Sequence, residues 1–266
     1  MKLAVFTQKP SLRCEKRMYD LMASLSGFET YDVSQPGDIA PGTDMLLSVG
    51  GDGTFLSAAR LVAGTDIPVL GVNFGRMGFL SEHTAEDVID ALGRGSYSIE
   101  ERDMLRVSLD GGEPETALNE VSICRAGAAM LGIDVLLGDQ PLPTYWADGL
   151  LVATSSGSTA YSLSAGGPIC TPDSKVLVIS PVAPHNLNVR PLIVPSSTRV
   201  SISFRSRDGR AVLALDNTHS YIGRGTRLEV SLAQFSLKRV KLSNSSFIGA
   251  LRSKLFWGED VRNESE

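Results

Sequence analysis

Along the first hundred residues, short apolar runs alternate with segments whose apolar positions recur at helical spacing. Residues 2–7 form an apolar run of strand length. Over residues 12–25, Leu12, Met18, Leu21, Met22 and Leu25 keep a helical period and predict a helix. Residues 28–33 predict a second strand. A connection rich in Pro, Gly and Asp (residues 35–43) leads to Met45-Leu46-Leu47-Ser48-Val49, the pattern of a buried strand. That strand stops at a double glycine, and residues 54–63 resume the helical period through Phe55, Leu56, Ala58, Ala59, Leu61 and Val62. Residues 68–72 predict the next strand and residues 85–92 the next helix. Alternation of this kind predicts βαβ units and a parallel sheet.

Near residue 100 the pattern changes. Residues 102–109, 117–125, 132–137, 149–154, 176–180, 199–204, 211–215, 227–232 and 237–242 read as short strands. Turn residues such as Asp110-Gly111-Gly112 and Arg207-Asp208-Gly209 separate them, which is the grammar of an all-β sandwich or similar. One helical insertion is expected at residues 158–165 and another helix at 247–256, with Trp257 anchoring it and residues 263–266 frayed. Glu100-Glu101-Arg102-Asp103 reads as a solvated turn at the junction. The expected architecture is an α/β N-terminal domain with a Rossmann-like parallel sheet (residues 1–100) and a β-rich domain (101–242). A helical tail (243–266) is expected to pack back on the first domain.

Composition narrows the function without naming it. Apolar residues make up 42% of the 266 and charged residues 21%, an ordinary globular balance. No apolar run reaches the roughly 18 residues needed to span a bilayer, and no secretory leader follows Met1. The net charge of -5, with no basic run, lacks the footprint of a nucleic-acid binder. Cys14, Cys124 and Cys170 are far apart, with no CxxC pair, which argues for a reducing cytoplasm and against a disulfide framework or zinc cluster. All three are expected to be small buried side chains, and His83 and His185 to be hydrogen-bonded structural groups.

Two clusters carry candidate chemistry. The first is Gly50-Gly51-Asp52-Gly53-Thr54, a strand–turn–helix junction in which glycines remove the Cβ atoms that would hold a phosphate off the backbone. It lacks the Lys-Ser/Thr of a Walker A loop and the spacing of GxGxxG. Asp52 would repel a phosphate, so a functional reading makes it a metal ligand or a proton acceptor. A structural turn in which Asp52 caps the helix accounts for the turn equally well. The second is the run from Ala153 to Pro168, dense in small residues and hydroxyls, which lets a ligand approach the backbone. Asp148 precedes it. Asn119-Glu120 interrupts a strand-like segment and fits either an exposed edge or a pair of ligand contacts.

Together these pieces resemble the NAD kinase family over nearly the whole chain. The family's GGDGT motif stands as Gly50 to Thr54, and its Asn-Glu pair as Asn119-Glu120. Its long DG…TPTGSTAYSLSAGGP signature appears as Asp148-Gly149 and then Thr154 to Pro168, with Ser155-Ser156 in place of Pro-Thr. Pro184-His185 with Arg190 to Pro195, Gly71-Val72-Asn73 with Gly75-Arg76-Met77-Gly78-Phe79-Leu80, and Leu251-Arg252-Ser253-Lys254-Leu255 with Trp257-Gly258 also fit. Met130 and Trp146 stand where several relatives carry His and Arg. The glycine turn is shared with diacylglycerol kinases and phosphofructokinases; the second signature is not.

The resemblance implies a site in a crevice between the two domains and phosphorylation of the adenosine-ribose 2′-hydroxyl of NAD, giving NADP. ATP or another phosphoryl donor would supply the phosphate, with a divalent cation, Mg²⁺, whose ligands it leaves unassigned. It implies Asp52 as the general base with Gly51 and Gly53 at the phosphates, and Phe79 against the dinucleotide. Asn119, Glu120, Asp148, Ser156, Thr159, Ala160, Tyr161, Ser162, Leu163 and Ser164 would line the NAD site. It further implies a cytoplasmic homodimer or homotetramer with small-molecule substrates and no nucleic-acid or membrane partner. A sphingoid- or diacylglycerol-type lipid kinase, and a non-catalytic dinucleotide sensor, are the rival readings.

Overall fold

In the computed structural model, residues 1–75 and 78–258 are described; Arg76, Met77 and the expected frayed end at 263–266 lie outside them. The chain divides into two units, one comprising Met1–Glu101 with the chain from Lys238 onward, the other Arg102–Leu237.

In the first unit, strands β1 (Lys2–Phe6), β2 (Glu29–Val33), β3 (Met45–Gly50) and β4 (Val69–Asn73) pair in parallel in the order β2-β1-β3-β4. Every residue of β3 is buried, as a strand covered on both faces requires. Helices α1 (Lys16–Ser24), α2 (Asp52–Leu61) and α3 (Ala85–Arg94) supply the cover. α1 and α3 meet the strands in a core that includes Met18, Leu21, Leu47, Val72, Val88 and Leu92, while α2 buries Phe55, Leu56, Ala58 and Ala59. The predicted helix at 12–25 is in fact a 3₁₀ turn (Pro10–Cys14) followed by α1. α3 is closed at both ends. Thr84 and Asp87 exchange side-chain and backbone hydrogen bonds at its start, and Gly95 ends it at φ 63°.

The chain passes between the units inside two long strands, β5 (Tyr97–Leu109) and β17 (Arg227–Leu242). The expected turn at 100–103 is therefore strand, with Arg102 buried. The two strands expected at 227–232 and 237–242 are one continuous strand.

Between them run β6 (Glu115–Ala117), β7 (Glu120–Arg125), β8 (Leu131–Leu137), β9 (Gln140–Pro141), β10 (Tyr145–Ala147), β11 (Gly149–Thr154), β12 (Val176–Val182), β13 (Leu192–Pro195), β14 (Val200–Arg205), β15 (Arg210–Leu215) and β16 (Thr218–Gly223). One antiparallel sheet has the order β13-β12-β11-β7-β15-β16. A second antiparallel set joins β10, β8, β14 and the first part of β17. Alternate residues of these strands, among them Val121, Ile123, Ile133, Val152, Ile202, Leu213 and Val230, share the core of this unit. The helical insertion is shorter than expected: a 3₁₀ turn (Ser156–Thr159) and a single turn α4 (Tyr161–Ser164). The last helix, α5 (Phe247–Leu255), buries Ala250 and Leu251, whereas Trp257, expected to anchor it, lies beyond its end and is 57% exposed. Of the cysteines only Cys170 is buried; Cys14 is exposed and Cys124 half-buried.

Candidate active site

The glycine turn lies where β3 ends and α2 begins. Gly51 is the N-cap of α2 and Asp52 its first residue, two residues before the start that the apolar period suggests. The free N–H groups of a helix's first turn favour a negative charge there. Asp52 nevertheless directs its carboxylate to the segment after β4. Oδ2 accepts the Phe79 N–H at 2.8 Å, and Oδ1 accepts those of Leu80 at 3.0 Å and Ser81 at 2.8 Å. Gly78 is what permits this, because a Cβ there would lie 1.9 Å from Asp52 Oδ1. Of the roughly four lone-pair positions of a carboxylate, these bonds occupy both on Oδ1 and one on Oδ2, so the open position is on Oδ2.

The glycines of the turn are glycine for different reasons. A Cβ on Gly50 would meet the Thr54 side chain at 2.3 Å, and one on Gly71 would meet the backbone at Leu80 and Ser81 at 2.9 Å. At Gly51 and Gly53 a Cβ would meet nothing within 4 Å. The protein's own packing makes no demand for glycine at these two positions, and the space beside them is open.

The segment that receives Asp52 is tied to the end of the chain. Arg239, 4% exposed, donates from Nη2 to the Leu80 carbonyl at 3.2 Å and to Glu82 Oε1 at 2.6 Å. From Nη1 it donates to Glu100 Oε1 at 2.8 Å. Lys254 donates to the Gly78 carbonyl and stands 5.2 Å from the Phe79 ring centroid. His83 is buried and shares a 3.0 Å hydrogen bond with Ser245, the structural role expected for it. Burial holds its imidazole below the usual histidine range.

The second group of residues is built around β7. The register Leu215↔Val121 between β15 and β7 brings Asp216 alongside Glu120. Asp216 opens the turn to β16 at φ 50°. Its carboxylate accepts the N–H groups of Leu118 at 2.7 Å, Asn119 at 2.8 Å and Glu120 at 3.1 Å. Like Asp52, it accepts three consecutive backbone N–H groups, and here they fix the backbone of the Asn-Glu pair. Both members of the pair are buried, and Glu120 Oε2 has no hydrogen-bond partner. Burial, then the Asp216 charge, pushes the Glu120 carboxyl up to about 8, against a hydrogen bond from the Tyr161 N–H. Glu120 is therefore a neutral acid at pH 7, able to donate a hydrogen bond where a carboxylate would repel an anion.

That shift gives a signed pH dependence. With its folded value raised from 4.5 to about 8, the folded protein keeps a proton that the unfolded chain loses. Its contribution is complete below pH 4.5 and is lost as pH rises through about 8, at about 1.4 kcal/mol per pH unit. Glu120→Gln should abolish the slope. The urea midpoints of wild type and variant should diverge from pH 5 to 8 and run parallel above that range; parallel curves throughout would refute a protonated Glu120.

Residues 154–168 wrap onto the Asn-Glu pair. Thr154 Oγ1 donates to the Leu118 carbonyl at 2.7 Å and accepts the Gly157 N–H at 3.1 Å. Several of the hydroxyls hold this turn together. Ser158 donates to the Ser155 carbonyl and accepts the Cys170 N–H, while buried Ser162 pairs with Ser180 at 3.1 Å. Ser156 accepts from Arg102 at 3.3 Å, and Thr159 donates to the Ser156 carbonyl at 3.4 Å. Tyr161 and Ser164 are exposed, and Ala160 and Leu163 half-buried. Asp148, just before β11, pairs with Arg125 at 2.9 Å. The predicted residues thus form two groups, Gly51, Asp52, Gly53 and Phe79 in the first unit and the remainder in the second.

Residues 12–97 match the ATP-NAD kinase N-terminal domain and residues 118–242 the ATP-NAD kinase C-terminal domain. The chain belongs to the ATP-NAD kinase family. It is 42% identical to an NAD kinase of Bacteroides fragilis over 226 residues, covering 82% of this chain and 78% of that protein. An NAD kinase of Flavobacterium psychrophilum is 37% identical over 259 residues, or 94% and 88% of the two chains. The fold agrees with yeast NADH kinase complexed with NADH (TM-score 0.89, 22% identity, 99% of this chain and 89% of that one). It also agrees with an NAD kinase from Archaeoglobus fulgidus in complex with ATP (TM-score 0.78, 24% identity, 95% and 99%). As a member of the ATP-NAD kinase family the chain is a phosphotransferase. The sequence assigns no site-building part to Asp216, Arg239, Lys254 or Gly78, although Gly78 and Lys254 stand in segments that resemble the family and Asp216-Asn217 follows a strand as a turn signal.

Proposed function

We propose that this chain transfers the terminal phosphate of ATP to the 2′-hydroxyl of the adenosine ribose of NAD, giving NADP, with Asp52 as the general base. The observation that carries the reading is the Asp52 carboxylate, fixed by three backbone N–H groups with its open position on Oδ2, beside glycines that leave space for phosphates. The hydroxyl oxygen bonds to the γ-phosphorus, the bond from that phosphorus to the β–γ bridging oxygen breaks, and ADP leaves. The hydroxyl proton passes to Oδ2. Such a transfer has a loose transition state, so orientation and charge placement dominate. Asn119, neutral Glu120, Asp148 and residues 156–164 hold NAD, and Phe79 lies against it. The names of the relatives support NAD as the acceptor.

Among the described residues no group of three or more His, Cys, Asp or Glu side chains gathers as a metal site. Asp52 spends three lone pairs on N–H groups. These residues do not build a resident metal centre, and the Mg²⁺ of this reading would arrive on the phosphates of ATP. Among the described residues no helix is long and apolar enough to cross a membrane. The same reading includes a cytoplasmic homodimer or homotetramer, checked by light scattering of the purified chain.

The deciding assay incubates the protein with ATP, Mg²⁺ and NAD and follows NADP. Tight NAD binding without NADP would favour a sensor, and phosphorylation of a sphingoid base or diacylglycerol would favour a lipid kinase. The open space at Gly53 gives a further expectation. Gly53→Ala should keep or raise stability by about 0.5–1 kcal/mol, since alanine suits a helix better than glycine. It should raise the KM for ATP, because its methyl enters the phosphate space. Unchanged ATP kinetics would remove residue 53 from the phosphate site.

A further inference from the structure

Lys254 is a lysine with an unusual position. It lies in the last turn of α5, where Arg252 and Ser253 are exposed, yet its own side chain is only 10% exposed. Burying an ammonium costs free energy unless its hydrogen bonds are made. Lys254 donates a hydrogen bond to the Gly78 carbonyl, and its charge faces the Phe79 ring at 5.2 Å and Glu82 Oε2 at 3.9 Å. Burial draws its ammonium below the usual lysine range, while the Glu82 and Asp52 charges pull it back up.

The Gly78 carbonyl and the Phe79 N–H belong to one peptide unit. Lys254 holds the oxygen end, and Asp52 Oδ2 receives the N–H end at 2.8 Å. A peptide unit is planar and rigid, so fixing its oxygen fixes the direction of its N–H. An ammonium on the carbonyl also strengthens the hydrogen bond that the same unit donates. Oδ2 is the carboxylate oxygen with the open position. Arg239 grips the next carbonyls along, and its contacts leave the 78–79 peptide to Lys254.

We propose that Lys254 is a positioning residue for Asp52, aiming Oδ2 at the acceptor hydroxyl through the Gly78–Phe79 peptide. This rests on the reading of Asp52 as the base. Lys254 touches no substrate in this account; it keeps the base from swinging out of line.

The test is a double-mutant cycle in the full chain with ATP, Mg²⁺ and NAD. Lys254→Met should lower kcat by about 10–100-fold, the scale of a misplaced reacting group. The KM values for ATP and NAD should stay within about twofold. In an Asp52→Asn background, Lys254→Met should cost less than about a further twofold, because the base it aims is already gone. Wild-type turnover in Lys254→Met, a loss carried by KM, or an equal loss in both backgrounds would each overturn the proposal. Should Lys254→Met not fold, Lys254→Gln carries the same measurements. Failure of the base assignment is visible separately, as wild-type turnover in Asp52→Asn alone.

Discussion

Asp52→Asn should lose about 10²–10⁴-fold in turnover, the range a positioned general base contributes, while binding NAD nearly as well as the wild type. The asymmetry follows from where Asp52 sits. Its carboxylate lies in the first unit, and apart from Phe79 the residues proposed to hold NAD lie in the second. The asparagine can keep its oxygen on the Leu80 and Ser81 N–H groups, but its amide nitrogen then faces the Phe79 N–H, a donor against a donor. Leaving that N–H unpaired costs about 1–3 kcal/mol, so a lowered melting temperature is expected alongside. Calorimetric titration with NAD and single-turnover formation of NADP separate the two effects. Turnover near the wild-type level would end the assignment of Asp52 as the base, and parallel loss of NAD affinity would make it a binding residue.

The sequence disclosed those features whose cause is local. β3 and α2 were legible because one buries every residue and the other keeps an apolar stripe, and the turn between them was legible from its glycines. The start of α2 was misplaced because Gly51-Asp52-Gly53 offers no apolar residue to carry the period back to the cap. β17 looked like two strands because residues 233–236 break the alternation, though the strand continues through them. Edge strands were harder still. β13 and β16 are mostly exposed, and a strand that buries little leaves little pattern. The candidate site divides in the same way. Asp52 and the Asn119-Glu120 pair sit in recognisable motifs. Which residues support them is not legible locally: Asp216 lies 96 residues from Glu120 in sequence, and Lys254 lies 176 from Gly78. Such pairings arise from strand register and helix docking, which no local window contains.

Gly157→Ala is expected to be the most disruptive single-methyl change in the second unit. The 3₁₀ turn of residues 156–159 presses against the chain just before β7, and a Cβ on Gly157 would lie 2.1 Å from the Asn119 carbonyl oxygen and 2.6 Å from its carbon. A collision with backbone cannot be relieved by a rotamer change, and Asn119 is held from both sides. Its N–H is bonded to Asp216 at 2.8 Å, and its carbonyl accepts the Thr154 N–H at the same distance. Either the turn lifts or the Asn-Glu segment shifts, at the roughly 1–3 kcal/mol typical of overpacking. Both routes separate Tyr161, whose N–H bonds the Glu120 carboxyl, from its partner. The variant should therefore show a lower melting temperature and a marked rise in the KM for NAD, with the KM for ATP much less affected. Gly53→Ala has the opposite signature, since its methyl meets no protein atom and its effect falls on ATP. A Gly157→Ala protein with wild-type affinity for NAD would show that the contact between this turn and Asn119 has no part in binding the dinucleotide.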